Sequence, residues 1–298
     1  MVSPGILLVD KPAGLTSHDV VARTRRAFGT RKVGHAGTLD PMATGLLVIG
    51  IEGATRLLTY IVGADKTYRA TIRLGQTTGT DDAEGEILTT AAPEAWASVT
   101  DDAVTAGIAS LTGAISQVPS AVSAIKVDGR RAYDRVRAGE EVVLAARDVV
   151  VSRFDLLESR RGDGGHLDLD VIVDCSSGTY IRSLARDLGA DLGVGGHLTA
   201  LRRTRVGPFE VTDAVAIDAL EGAPTLTPAE AARRILPVLD MSADDARDLR
   251  HGKRLAGRAE ELEGRIAAAI DPDGVLIGIV EKRGADLKSA MNMPEGER

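Results

Sequence analysis

The 298-residue sequence predicts a mixed helix-and-strand protein, with one large domain followed by a small β-rich module. The segment "TYRATIRLG" alternates apolar and polar side chains strictly, as a half-buried antiparallel strand does. Helix-start residues stand at Ser17 and Thr100. The stretch "EGAPTLTP" at 221–228 is typical of an interdomain linker, so we expect domains at 1–224 and 236–298.

The first elements can be assigned in chain order. "GILLVDKPAG" predicts a strand that ends in a Lys-Pro turn. Ser17 is the predicted N-cap of a helix that runs to Phe28. The apolar run "LLVIG" predicts a buried strand, and a short helix is expected over 56–62.

The later elements follow the same logic. Thr100 begins a helix that stops at Gly113. "SAIKVDGRRAYDRVRAGE" has no clean period and is rich in Lys, Arg and Gly, which predicts an exposed basic loop. We then expect strands near 148–156 and 166–175, a helix in "SSGTYIRSLARDLG", a strand region in "HLTALRRTRVGPF", a capping box that starts at Thr227, a short helix from Ser242, and the hairpin "RIAAAIDPDGVLIGIVEKR".

The charge distribution is uneven, although the formal net charge is −7. Residues 1–75 carry ten Lys and Arg against five Asp and Glu, and residues 176–210 carry five against three. The rest of the chain is acidic. An acidic total argues against a nucleic-acid partner, but the two basic regions also hold the unusual loops. A local basic face that binds nucleic acid is therefore compatible with the composition.

The composition also limits the compartment. No apolar run approaches the ~20 residues that span a bilayer, and no signal-peptide pattern opens the chain. The single cysteine, Cys175, excludes an internal disulfide and a multi-cysteine metal site. These features predict a cytoplasmic protein that does not bind membranes.

The loop "GHAGTLDPMATG" at 34–45 places one carboxylate, Asp40, among small residues. Glycines let another molecule approach closely, and Pro41 keeps Asp40 out of helical dihedrals. An Asp in an ordinary turn is one interpretation. A catalytic acid is the other, because a buried strand follows at once and rigid elements aim reactive side chains.

Several chemistries lack support in the sequence. There is no GxxxxGK[ST] motif, no GxGxxG after a strand, and no HExxH or zinc-type histidine spacing. "CSSGTY" lacks the GxSxG pattern of a serine nucleophile. Tyr68 and Tyr180 each stand near an arginine and could stack on a nucleobase, although the strand pattern alone favours a core position for Tyr68.

Five blocks, taken together, resemble a known family: "LLVDKPAGLTSHDVV", "GHAGTLDPMATGLLVIGIEGATRL", "KTYRATIRLGQTTGTDDAEG", "SSGTYIRSLARDLG" and "HLTALRRTRVGPF". Their order and spacing are similar to those of the bacterial tRNA pseudouridine-55 synthases, the TruB family. The resemblance implies an α+β pseudouridine-synthase core with a long mixed, mostly antiparallel sheet, and a small β-rich C-terminal domain of the PUA type. It also implies isomerisation of uridine-55 in the T-arm of tRNA without metal or other cofactor.

Site residues follow from the resemblance, motif by motif. Asp40 matches the catalytic aspartate, which acts either as nucleophile at the sugar or as base on the ribose. Tyr68 matches the tyrosine that stacks on the extruded base, and Arg182 matches the arginine paired with the catalytic carboxylate. The expected RNA-binding residues also include His35 and Leu201, which match by motif, and Tyr180, which fits structural support in the Arg182 motif as well. Lys11 of the basic N-terminal region and Arg130 and Arg131 of the basic loop are expected to bind RNA through their charge.

The resemblance predicts a monomer that binds tRNA and needs no obligate protein partner. Two rival functions remain at this level: a tRNA-folding chaperone, and a guide-RNA-dependent pseudouridylase of the same superfamily. The intact set of Asp40, Tyr68 and Arg182 argues against the first, and the lack of long basic extensions argues against the second.

Overall fold

The computed structural model describes residues 2–120, 126–127, 130–131, 144–162 and 165–294. Its contacts divide the chain into two compact units. Unit 1 comprises Met1–Pro41, Gly45–Ala64 and Arg205–Arg298, and unit 2 comprises Met42–Thr44 and Asp65–Thr204. These units do not divide the chain at 224–236, so the proposed domain boundary there stays a prediction.

The described strands are β1 (Gly5–Lys11), β2 (Val33–His35), β3 (Thr44–Ile51), β4 (Lys66–Leu74), β5 (Gln76–Thr78), β6 (Ile87–Thr90), β7 (Gly113–Gln117), β8 (Lys126–Val127), β9 (Arg130–Arg131), β10 (Arg147–Gly162), β11 (His166–Cys175), β12 (Gly196–Val206), β13 (Phe209–Glu210), β14 (Val215–Ala216), β15 (Val238–Asp240), β16 (Ile266–Ile270), β17 (Leu276–Arg283) and β18 (Asp286–Asn292). The α-helices are α1 (Ser17–Ala27), α2 (Leu58–Val62), α3 (Asp101–Ser110), α4 (Ile181–Asp191), α5 (Pro228–Ile235) and α6 (Ala243–Arg250). Within the described residues, no helix is both long and apolar enough to cross a membrane.

In unit 1, β1 is the central strand between two neighbours. It pairs antiparallel with β3, from Gly5 opposite Ile51 to Lys11 opposite Gly45, and parallel with β14. β2 pairs antiparallel with β3 on its other edge. This part of the sheet is therefore mixed and mostly antiparallel.

Both faces of β1 and β3 are covered. Leu7 and Val9 of β1 pack in one cluster with Val20 and Val21 of α1. The alternate residues, such as Leu8, belong to a second cluster that includes α2, α5 and the C-terminal strands. A strand buried on both faces needs a continuous apolar run, which explains "LLVIG" and "ILLV".

Unit 2 is built on a second run of strands, in the order β12-β4-β11-β10-β7. β4 and β11 pair antiparallel from Lys66 opposite Cys175 to Leu74 opposite Leu167. The predicted alternation in β4 is confirmed, because Ile72 is buried while Arg69 is exposed. α3 and α4 pack together, with the buried side chain of Leu188 against Gly107 of α3.

The C-terminal residues form their own four-stranded sheet, in the order β15-β16-β17-β18. The predicted capping box is present, since Thr227 and Glu230 bond each other's backbone amides at the start of α5. Ser242 caps α6 as expected. The predicted α+β fold, with a large mixed, mostly antiparallel sheet and a β-rich C-terminal part, is confirmed.

Some local predictions are displaced. The N-cap of α1 is Thr16 rather than Ser17, because Thr16 and Asp19 form a reciprocal capping box. β10 continues to Gly162, beyond the predicted end near 156, because it stays paired with β11 through a β-bulge. The short helix begins as a 3₁₀ turn at Glu52–Leu57 before α2.

Candidate active site

The loop that carries Asp40 connects β2 to β3, and Asp40 itself belongs to unit 1. The buried hydroxyl of Ser17 donates to the Leu39 carbonyl (3.0 Å) and accepts from the Leu39 amide (2.8 Å). One side chain thus satisfies both backbone groups of the residue before Asp40. Asp40 itself is half-buried. The backbone immediately before Asp40 is therefore held in place by the Ser17 hydroxyl.

Lys11 fixes the other side of the loop. Its ammonium donates to the carbonyls of Pro12 (2.9 Å), Leu15 (2.7 Å) and Pro41 (3.2 Å). The Gly14 amide donates to the same Pro41 carbonyl at 2.8 Å. The sequence predicts that Lys11 binds RNA, whereas the structure buries Lys11 completely, so its ammonium does not lie on a surface that phosphates reach. A buried ammonium needs such acceptors, and the turn supplies three.

His35 ends β2 five residues before Asp40 and is half-buried. Its ring lies edge-on to the His18 ring, with centroids 5.7 Å apart. The structure therefore keeps His35 in unit 1 near the base of the Asp40 loop.

Tyr68 lies on β4 in unit 2, buried and opposite Val173 of β11. Lys66 is buried on the same face of the strand, two residues earlier. Burial, reinforced by the positive charge of Arg203, lowers the pKa of Lys66 to about 8. Arg203 is buried as well. The sequence patterns did not single out Lys66 or Arg203; the only signal was that each lies inside one of the matched blocks.

Arg182 occupies the first turn of α4 and is almost completely buried. Its Nη1 donates to the Thr80 carbonyl at 2.9 Å and lies 3.3 Å from Oδ2 of Asp82. Only 6% of the Arg182 side chain and 3% of the Asp82 side chain are exposed. Asp82 is further held by the Thr80 hydroxyl and by the Glu84 amide at 3.1 Å. The sequence patterns did not identify Asp82 either, although it stands in "TTGTDDAEG".

The remaining predicted residues are placed as follows. Tyr180 is the N-cap residue of α4, and its backbone is bound by the Gln117 side chain. Leu201 is buried on β12. Arg130 and Arg131 form β9, which pairs antiparallel with β8, and their side chains lie outside the described residues.

The candidate residues thus fall into two groups, one in each unit. Unit 1 presents a carboxylate on a rigid loop, with His35 nearby. Unit 2 presents a buried tyrosine and a buried arginine that is already oriented by a second carboxylate. Among the described residues, no group of three or more His, Cys, Asp or Glu side chains is arranged to hold a metal ion.

Three family models match the chain in succession. The model described as "TruB family pseudouridylate synthase (N terminal domain)" matches residues 25–181. Residues 182–241 match "tRNA pseudouridylate synthase B C-terminal domain", and residues 236–294 match "tRNA Pseudouridine synthase II, C terminal". Every element that carries a predicted site residue, apart from β1 with Lys11, lies inside these ranges.

Individual proteins are similar over nearly the whole chain. A protein of Leifsonia xyli named tRNA pseudouridine synthase B is 61% identical, and the alignment covers 100% of this chain and 99% of that protein. A protein of the same name in Corynebacterium aurimucosum is 59% identical, and the alignment covers 95% of this chain and 94% of that protein. Among solved structures, an H/ACA RNP bound to a substrate RNA containing 2′-deoxyuridine matches with a TM-score of 0.71 at 24% identity, covering 98% of this chain and 86% of that one, a similarity of fold.

Proposed function

The chain belongs to the TruB family of pseudouridylate synthases, and on this premise we propose that it converts uridine-55 in the T-arm of tRNA to pseudouridine. The reaction breaks the bond between C1′ of the ribose and N1 of uracil, turns the base, and joins C1′ to C5. The proton on C5 leaves and N1 gains one, so atoms and electrons balance without an oxidant, a reductant or a co-substrate.

The observation that carries this proposal is the near full-length identity to proteins named tRNA pseudouridine synthase B. The geometry around Asp40 supports it. A nucleophile or base must meet the ribose in one orientation, and a loop held by Ser17 and Lys11 supplies such an orientation. The small residues beside Asp40 leave room for the sugar. Both chemical roles of Asp40 fit this arrangement.

Tyr68 and Arg182 complete the proposed catalytic set. Tyr68 stacks on the extruded uracil, for which it offers a ring held in place by the buried face of β4. Arg182 keeps the catalytic carboxylate ionised and oriented, since a guanidinium stabilises the charged form of a carboxyl group. The contacts of Arg182 with Thr80 and Asp82 hold the guanidinium in one position before substrate arrives.

RNA binding falls to the other residues. The reacting bond is hidden within the folded T-loop, so the uridine has to be flipped out at a cost of a few kcal/mol. We assign RNA-binding roles to His35, Leu201 and Tyr180. Arg130 and Arg131 bind phosphates. Lys11, by contrast, supports the Asp40 loop from inside the fold.

The proposed enzyme acts alone in the cytoplasm, as a monomer without a protein partner or guide RNA. The test is to incubate an unmodified tRNA transcript with the purified protein in EDTA, without nucleotide, and to measure pseudouridine by nucleoside analysis. We expect complete conversion. No conversion by the protein alone, followed by conversion after a guide RNA or a cell extract is added, would support the guide-dependent alternative.

Asp40→Asn separates an enzyme from a tRNA-folding chaperone. The substitution keeps the volume of the side chain and removes its charge, so tRNA affinity should change less than about twofold while pseudouridine formation falls to background. Asp218→Asn is the matched control, because Asp218 is exposed in the same unit. An Asp40→Asn protein that still forms pseudouridine at the wild-type rate would contradict the proposed mechanism.

A further inference from the structure

Gln117 is the last residue of β7 and is buried, with 2% of its surface exposed. Its side-chain Nε2 donates to the Tyr180 carbonyl at 3.0 Å, and its Oε1 accepts from the Tyr180 amide at 2.8 Å. One carboxamide therefore satisfies both backbone groups of a single residue 63 positions away in the sequence. Both distances are those of good hydrogen bonds.

Tyr180 is the N-cap of α4, and no side chain of its own helix caps it. The four amides at a helix start lack intrahelical partners, so the direction in which the helix leaves the cap depends on what holds that cap. Here the cap residue is held by β7. Arg182 follows two residues later, in the first turn, so the same contact sets the place from which its side chain departs.

Two neighbours of Gln117 contact the same region. The Val118 carbonyl accepts from Nη2 of Arg186, one turn further along α4, at 2.7 Å. The buried hydroxyl of Ser120 donates at 3.3 Å to the Thr80 carbonyl, which also accepts from Arg182. The segment 117–120 thus forms hydrogen bonds on both sides of Arg182 in the chain, to Tyr180 and to Arg186. It also bonds to the Thr80 carbonyl, which accepts from Arg182.

We infer that Gln117 is a positioning residue for catalysis, which acts by fixing the start of α4 and thereby the guanidinium of Arg182. The inference rests on the proposed function of Arg182. Gln117 does not touch substrate; a displacement of its target by about 1 Å is enough to cost on the order of 10²-fold in rate.

The test compares Gln117→Met and Gln117→Glu with wild type. Met keeps the length of the side chain and loses both hydrogen bonds, whereas Glu keeps the acceptor and, because burial favours the neutral acid, can still donate to the Tyr180 carbonyl. We expect the single-turnover rate of pseudouridine formation to fall about 10- to 100-fold in Gln117→Met, with tRNA Kd within about twofold of wild type. The single-turnover rate of Gln117→Glu should fall less than that of Gln117→Met, and the Glu variant remains informative if the Met variant does not fold.

Thr100→Ala is the matched control for stability. Thr100 caps α3 of the same unit through the Ala103 amide at 3.1 Å, and α3 carries no proposed site residue. Its removal should lower the melting temperature and leave the turnover of folded enzyme unchanged. A Gln117 variant with the same loss of melting temperature should turn over more slowly than this control.

A double-mutant cycle decides whether Gln117 acts through Arg182. In an Arg182→Lys background the added effect of Gln117→Met on the single-turnover rate should shrink to less than about threefold. Additive effects, or a Gln117→Met rate equal to that of Thr100→Ala, would overturn the inference. Failure of the proposed function would look different, because the wild-type protein itself would then form no pseudouridine.

Discussion

Replacing Asp82 by Asn removes the negative charge that faces Arg182 and changes little else in volume. The two charged groups lie 3.3 Å apart and are almost completely shielded from water. At an effective dielectric constant of about 20, a charge pair at this distance attracts with about 5 kcal/mol. Part of this attraction offsets the cost of burying the two ions, which is the reason such pairs stabilise less than Coulomb's law suggests.

We therefore expect Asp82→Asn to lower the free energy of unfolding by about 2–3 kcal/mol, and Asp82→Ala by about 3–5 kcal/mol. The Asn side chain can still accept a hydrogen bond, and Arg182 keeps its bond to the Thr80 carbonyl. Arg182 would be left as a buried cation with less compensation, and its guanidinium would shift. Single-turnover pseudouridine formation should fall by on the order of 10²-fold, with tRNA affinity nearly unchanged.

Urea unfolding gives the stability, and a single-turnover assay on saturating enzyme gives the rate. Asp81→Asn is the control at the adjacent position. Asp81 pairs with Arg186 at 3.4 Å where both side chains are partly exposed, and its φ of 60° suits Asn. This control should cost less than about 1 kcal/mol. The proposed role of the ion pair is refuted if Asp82→Asn reacts at the wild-type rate and its free energy of unfolding lies within about 0.5 kcal/mol of the wild-type value.

Two further predictions concern binding and pH. Changing Arg130 and Arg131 to Glu should flatten the slope of log affinity against log salt by roughly 0.7–0.9 for each phosphate that the variant no longer neutralises, measured by filter binding of tRNA; an unchanged slope would place the phosphates elsewhere. Lys66→Met should stabilise the protein at pH 7 by up to about 3 kcal/mol, because the pKa of Lys66 falls from 10.5 to about 8 on folding. Between these two values the unfolded chain binds more protons, so the wild type gains stability with rising pH and approaches the variant above pH 10.5. A less stable Met variant at pH 7 in urea unfolding would show that acceptors around the ammonium outweigh its burial.

Local patterns in the sequence determined most of the secondary structure. The alternation in β4 and the capping box at Thr227 are read within a few residues, and the structure confirms both. Asp40 also stood out locally, as the lone acid in a loop of small residues before a buried strand. Periodicity and capping depend on neighbours in the sequence, so a sequence alone contains the information they need.

The supports of the site were decided only by the tertiary structure. Ser17 meets Leu39 across 22 residues, Lys11 meets Pro41 across 30, and Gln117 meets Tyr180 across 63. By local rules, Ser17 is a helix cap and Lys11 is a surface cation. Each has its observed role because folding buries a polar group, and a buried polar group must find a partner wherever the fold brings one. No periodicity records which partner that will be, so the residues that hold Asp40 and Arg182 in place could be identified only once the chain was folded.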